Sequence, residues 1–223
     1  MAKSANLTEY EAKLLLKKYS VPVTQEYLAK TENDALASAK KIGYPVALKI
    51  MSPQILHKTD AGCVLLNVKN EEELKFGFRK INDNAKKYDP KAEIKGVLVQ
   101  EMVSDLGARE VIIGSKIDDQ FGPVIMFGLG GIFVEVMKDV SFRIIPIERK
   151  DASAMIKEIK AYKILEGVRG QKPVNFKALE DCLLAVSKMV HEEKNIKEID
   201  INPLFVSEAG VKAADARIVL VEK

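Results

Sequence analysis

Tryptophan is absent from these 223 residues, and histidine and cysteine occur only twice each. So few ligands of those types argue against a structural zinc centre. Cys63 and Cys182 lie far apart with no CxxC spacing, so both are read as reduced, buried thiols. No apolar run is long enough to span a bilayer, and the opening "MAKSANLTEYEAKLL" has no secretory h-region. The chain is therefore expected to be soluble and cytoplasmic, with no membrane partner. Thirty-five basic against 32 acidic residues leave +3, spread without blocks, so no nucleic-acid partner is expected. There is no GxxxxGK(S/T) loop, no strand-linked GxGxxG, no nucleophile elbow and no HExxH. "GLGG" at 128–131 is too short for either glycine-rich loop. A nucleotide bound here must be held in another way.

What is present reads as alternating helix and strand. Thr8 with Glu11 predicts a capping box and a first helix with the apolar stripe Ala12, Leu15, Leu16 and Tyr19. Val21-Pro22 ends it. Thr31 caps "ENDALASAKKI", and Gly43 closes it. "VALKIM", "CVLLNV" and "IKGVLVQEMV" read as strands, with a helix from Asn70 to about Lys87 between the last two. "REVIIGSKID", "GPVIMFGLGG" and "SFRIIPIE" predict an antiparallel run with turns at Asp118-Asp119 and around Lys138-Asp139. Asp151 and Asn175 are expected to open two helices, and "EIDINPLFVSEAGVKAADARIVL" to close the chain as a hairpin. The whole is an α+β chain in two parts.

Few side chains stand out chemically. Lys49 interrupts the apolar "VALKIM". A lysine there costs several kcal/mol unless it meets a counter-charge. It is either an edge-strand lysine whose ammonium returns to water or a phosphate-contacting lysine. "HKTDAG" places His57, Lys58, Thr59 and Asp60 in a polar loop ending at Gly62. It is an ordinary turn or a flap carrying a phosphoryl acceptor, since neutral imidazole is competent near neutral pH. Gln100-Glu101 ends a strand, where a carboxylate beside open backbone can hold an amino-bearing heterocycle. Glu110 can accept from a ribose hydroxyl or simply be exposed. In the terminal hairpin, a turn pairing Ser207 with Gly210 sets Asn202 opposite Asp215 and collects Asp200, Asn202, Asp215 and Arg217 on one face. An amide oxygen and a carboxylate at opposed positions can share one hard cation, and Mg²⁺ commonly takes one or two carboxylates plus phosphate oxygens. A solvated strand edge is the competing reading.

Taken in order, "PVALKIMSPQILHKTDAG", "VLVQEMV" followed by "GARE", "FGLGGIFVEVMKDVSFRIIPI" and "EIDINPL…ADARI" resemble an ATP-grasp unit. The likeness runs nearly the whole chain, to the β subunit of ADP-forming acyl-CoA synthetases, relatives of the succinyl-CoA synthetase β chain. It implies two α+β lobes with a nucleotide cleft between them: residues 21–98 as the smaller, residues 1–20 with 99–223 as the larger. It implies ATP or ADP with Mg²⁺. Lys49 and Lys58 would lie on the phosphates, Glu101, Met102 and Val103 on adenine, Glu110 on the ribose side, and Asn202 and Asp215 on the metal. His57 would relay phosphate, and Glu135 and Asp139 would border the transfer site. The family reaction is acyl-CoA + ADP + phosphate ⇌ acid + CoA + ATP, with a separate CoA-binding α subunit in an α₂β₂ assembly. A stand-alone carboxylate–amine or carboxylate–thiol ligase is the alternative. The chain departs from its relatives at Gly62-Cys63, where a second glycine is often found, so a thiol there could crowd the loop's approach to phosphate.

Overall fold

The computed structural model describes residues 4–103, 107–131, 139–168 and 170–221. These fall into two compact units, 24–104 and 1–23 with 105–223. The boundary differs from the expected break at residues 98–99. The strand Gly96–Glu101 is hydrogen-bonded into the smaller sheet and cannot be divided.

In the large unit the elements are β1 (Ser4–Asn6), α1 (Glu9–Lys18), β6 (Arg109–Asp118), β7 (Gly122–Leu129), β8 (Val140–Ile144), α4 (Arg149–Glu158), α5 (Tyr162–Glu166), α6 (Phe176–Glu192), β9 (Ile196–Ser207), β10 (Gly210–Ala213) and β11 (Arg217–Val221). The described strands form one antiparallel sheet in the order β1-β11-β9-β6-β7-β8, with β10 also on β9. Alternation along β6, β7 and β9 sends Val111, Ile113, Ile125, Phe127, Ile199 and Ile201 into one core with the apolar stripes of α4 and α6. Burying such side chains contributes about 1.5–3 kcal/mol each. The intervening residues, among them Ile112, Lys116, Met126, Asp200 and Asn202, project from the other face.

The small unit holds β2 (Glu26–Ala29), α2 (Glu32–Ile42), β3 (Val46–Met51), β4 (Val64–Val68), α3 (Glu71–Tyr88) and β5 (Gly96–Glu101). Its antiparallel sheet runs β2-β5-β3-β4. Val46, Leu48, Ile50, Val97 and Val99 pack with Ala35 and Ala39 of α2 and Leu74, Ile81 and Ala85 of α3.

Local sequence explains most helix starts. Thr8 and Glu11 form the expected capping box, Thr31 forms one with Asp34, and Asn70 and Asn175 each accept an N–H of the first turn. Three details depart from the sequence reading. Asp151 does not open α4 but is its third residue, its carboxylate accepting the Glu148 N–H at 2.8 Å. β1 has no counterpart in the reading. The final strand is broken at 214–216 into β10 and β11, where Ala214 N–H turns to the Pro203 carbonyl at 3.0 Å.

Candidate functional site

The break in the terminal hairpin is where the sequence placed its metal pair. β9 pairs Leu204 with Ala213 on one side of the gap and Asp200 with Arg217 on the other. The register is the same on both sides, so Asn202 and Asp215 stand level across it, on the face away from the helices. Asn202 is exposed and Asp215 half-buried. Asp200, two residues before Asn202 on the same face, has its Oδ1 buried with no hydrogen-bond partner. Burial first, then the charges of Asp215 and Glu198, pushes its carboxyl above the usual range, against the pull of Arg217. An amide oxygen beside crowded carboxylates, one of them with an unpartnered buried oxygen, fits a hard, oxygen-seeking divalent cation. On the same face a groove of about 490 Å³ runs past Ser115, Lys116, Met126, Phe142, Glu198 and Asp200.

Glu110 is exposed on β6, next to the "GLGG" turn. Its carbonyl accepts the Gly130 N–H at 2.7 Å, and a Cβ on Gly130 would meet Glu110 backbone and side-chain carbons at 3.2 Å. A side chain there would push the Glu110 segment away by a few tenths of an ångström. Asp139 differs from a catalytic carboxylate exposed to substrate. It is 8% exposed, and its two oxygens accept the N–H groups of Lys160 and Ala161, both at 2.8 Å. It ties the start of β8 to the entry of α5. Glu135 lies outside the described residues.

In the small unit, Lys49 is 7% exposed between Leu98 of β5 and Val64 of β4. β3 is an interior strand, which removes the edge-lysine reading. Its neighbours Leu48 and Ile50 face the helices, so Lys49 projects from the opposite face with Ala47 and Met51. Glu101 ends β5. Its backbone N–H donates to the Gln25 carbonyl at 2.9 Å and its Oε1 accepts the Gln25 N–H at 2.6 Å. An incoming amino group therefore has to share this carboxylate. Met102 and Val103 follow as half-buried residues outside the ladder.

The His57 loop is wound into a turn. Ala61 N–H donates to the His57 carbonyl at 3.1 Å, Gly62 to Thr59 at 2.9 Å and Cys63 to Lys58 at 2.7 Å. His57 is exposed and Lys58 half-buried. The Cys63 thiol does not point out of the loop: it is fully buried in the core, its Sγ donating to the carbonyls of Ala61 at 3.4 Å and Ile81 at 3.8 Å. The thiol therefore does not crowd the loop as expected, and Gly62 supplies the left-handed residue (φ 63°) that the turn requires. No local pattern signals the Gln25–Glu101 bridge, whose partners are 76 residues apart. "GLGG" was the available signal for the Glu110 contact.

An ATP-grasp domain profile matches residues 1–220. The β subunit of the acetate–CoA ligase (ADP-forming) II of Pyrococcus furiosus is 58% identical over 96% of this chain and 91% of its own length. Acetyl-coenzyme A synthetase 1 of Ca. Korarchaeum cryptofilum, solved with coenzyme A and Ca-AMPCP, superposes with a TM-score of 0.92 at 47% identity over 97% of this chain and 93% of that one. A second structure of that enzyme holds coenzyme A and Mg-AMPPCP, with its phosphohistidine segment pointing towards the nucleotide binding site. It gives a TM-score of 0.85 at 43% identity, with the same coverage.

Proposed function

The chain belongs to the ATP-grasp family, and from that premise we propose that it is the nucleotide-binding β subunit of an ADP-forming acyl-CoA synthetase of the acetate–CoA ligase type. The observation that carries the reading is the 58% identity to a named β subunit across nearly the full length of both chains. That likeness to a subunit speaks against a stand-alone carboxylate–amine ligase. The overall reaction is acyl-CoA + ADP + phosphate ⇌ acid + CoA + ATP, and CoA chemistry falls to a separate α subunit, as α₂β₂.

In this reading the chain binds ADP with magnesium. Glu101 and the Met102–Val103 backbone hold adenine, Glu110 the ribose, and Lys49 with Lys58 the phosphates. Lys49 suits the task because its strand and neighbours fix it in a largely dry site, where a charge pair at ~4 Å gains about 4 kcal/mol. Asn202 and Asp215 would hold magnesium, which when bound would supply positive charge to offset that of the phosphates. His57 stands on an exposed, hydrogen-bonded turn. Its unprotonated ring nitrogen accepts the phosphoryl group as the P–N bond to the partner's phosphohistidine breaks, then passes it to the terminal phosphate oxygen of ADP. Direct transfer needs near in-line geometry, so distant CoA and nucleotide sites call for such a relay. Asp139 positions its segment without entering the chemistry.

Reconstitution tests this. Purified alone, the chain should make no ATP from acyl-CoA, ADP and phosphate, and adding the CoA-binding subunit should restore synthesis. Turnover by the isolated chain would overturn the half-enzyme reading.

A further inference from the structure

A depression of about 670 Å³ lies wholly within the 24–104 unit, where β2 ends and β5 begins, against one side of α3. Phe78, Asn82 and Lys86 stand four residues apart on α3 and form a single stripe along it. Phe78 and Ile94 are half-buried and packed on the unit's core, so their orientation is fixed by that packing. With Leu28 they give the depression an apolar wall. Lys30, Lys86, Lys95 and Glu93 also line it, and Asp34 stands beside Lys30, accepting its backbone N–H at 3.3 Å.

The segment carrying two of these charges is pinned. Glu93 N–H donates to Gln54 Oε1 at 3.1 Å, and Lys95 N–H to the Met51 carbonyl at 2.8 Å. Lys86 lies in the last turn of α3, where the helix dipole favours a cation, which accounts for one lysine. Lys30 and Lys95 are on no helix. A sphere of the depression's volume would be roughly 11 Å across, comparable to the screening length in physiological salt. Lysines lining a depression of that size can act on one ligand, and a multivalent anion gains more from them than a monovalent one does. The depression sits at the opposite end of β5 from Glu101, and none of the residues lining it belongs to the proposed nucleotide set.

We propose that this depression is a second binding site, for a small phosphorylated molecule with an apolar ring or chain. Its phosphate lies among Lys30, Lys86 and Lys95, and its apolar part lies on Leu28, Phe78 and Ile94.

The test titrates 1-naphthyl phosphate into the full chain at saturating Mg·ADP, followed calorimetrically. The expected result is one further saturable site, weakened by added salt and stronger than binding of either inorganic phosphate or 1-naphthol. Lys30→Glu with Lys86→Glu, both exposed, should weaken it roughly tenfold or more while leaving Mg·ADP affinity unchanged. No saturable site in the parent chain, or equal binding by the charge-reversed variant, overturns the proposal. Failure of the nucleotide reading would appear separately, as absent Mg·ADP binding, and the comparison of parent with variant would still stand.

Discussion

Asp200 lies directly opposite Arg217 on the β9–β11 ladder, yet the guanidinium also sits with Glu198, Nη1 to Oε1 3.7 Å, and Asp200 Oδ1 stays buried without a hydrogen bond. Arg217 and Lys116 thus stand on a face that carries Glu198, Asp200 and Asp215. Crowding of this kind costs stability in the empty protein. Asp200→Asn should therefore raise the melting temperature of the metal-free chain. A drop in thermal denaturation would show that the carboxylate is satisfied after all.

His57 is exposed on a turn held by its backbone, so its side chain can be changed without disturbing the loop. His57→Asn should keep Mg·ADP affinity within about twofold yet lose ATP synthesis in the reconstituted complex by at least about a hundredfold. Unchanged turnover would end the relay assignment.

Asp139 uses each carboxylate oxygen for one backbone N–H. An amide can accept only one of these and sets its NH₂ against the other. Asp139→Asn should cost about 2 kcal/mol in denaturant unfolding, since a buried donor loses its acceptor. Full stability with transfer alone impaired would instead make it a group of the chemistry.

Both thiols should resist modification in the native chain. Burial pushes Cys182 up to about 12 and also raises Cys63. A raised thiol pKa lowers the thiolate fraction, for Cys182 to roughly one in ten thousand at pH 8. A disulfide-exchange reagent should find no fast thiol at pH 8 and two in guanidinium. Rapid native reaction at Cys63 would mean that it faces out of the His57 loop.

Where local pattern carries the information, sequence and structure agree. Caps at Thr8, Thr31, Asn70 and Asn175 fix helix starts, β6 spans Arg109–Asp118 as read, and the terminal register follows from alternation. What escaped depends on distant partners. Ser4–Asn6 becomes a strand only because β11 offers an edge. Asp139 finds its donors 21 and 22 residues further on. The inward turn of Cys63 depends on α3, where Ile81 lies. Lys49 was legible as anomalous, but its place on an interior strand required the sheet order.

The proposal that matters most is that Asn202 and Asp215 hold the magnesium that accompanies the bound nucleotide. Calorimetric titration of ADP into Asp215→Ala, with Mg²⁺ and again in EDTA, tests it most directly. The account predicts a loss of about tenfold or more with Mg²⁺ and little change in EDTA. An equal loss under both conditions would contradict it.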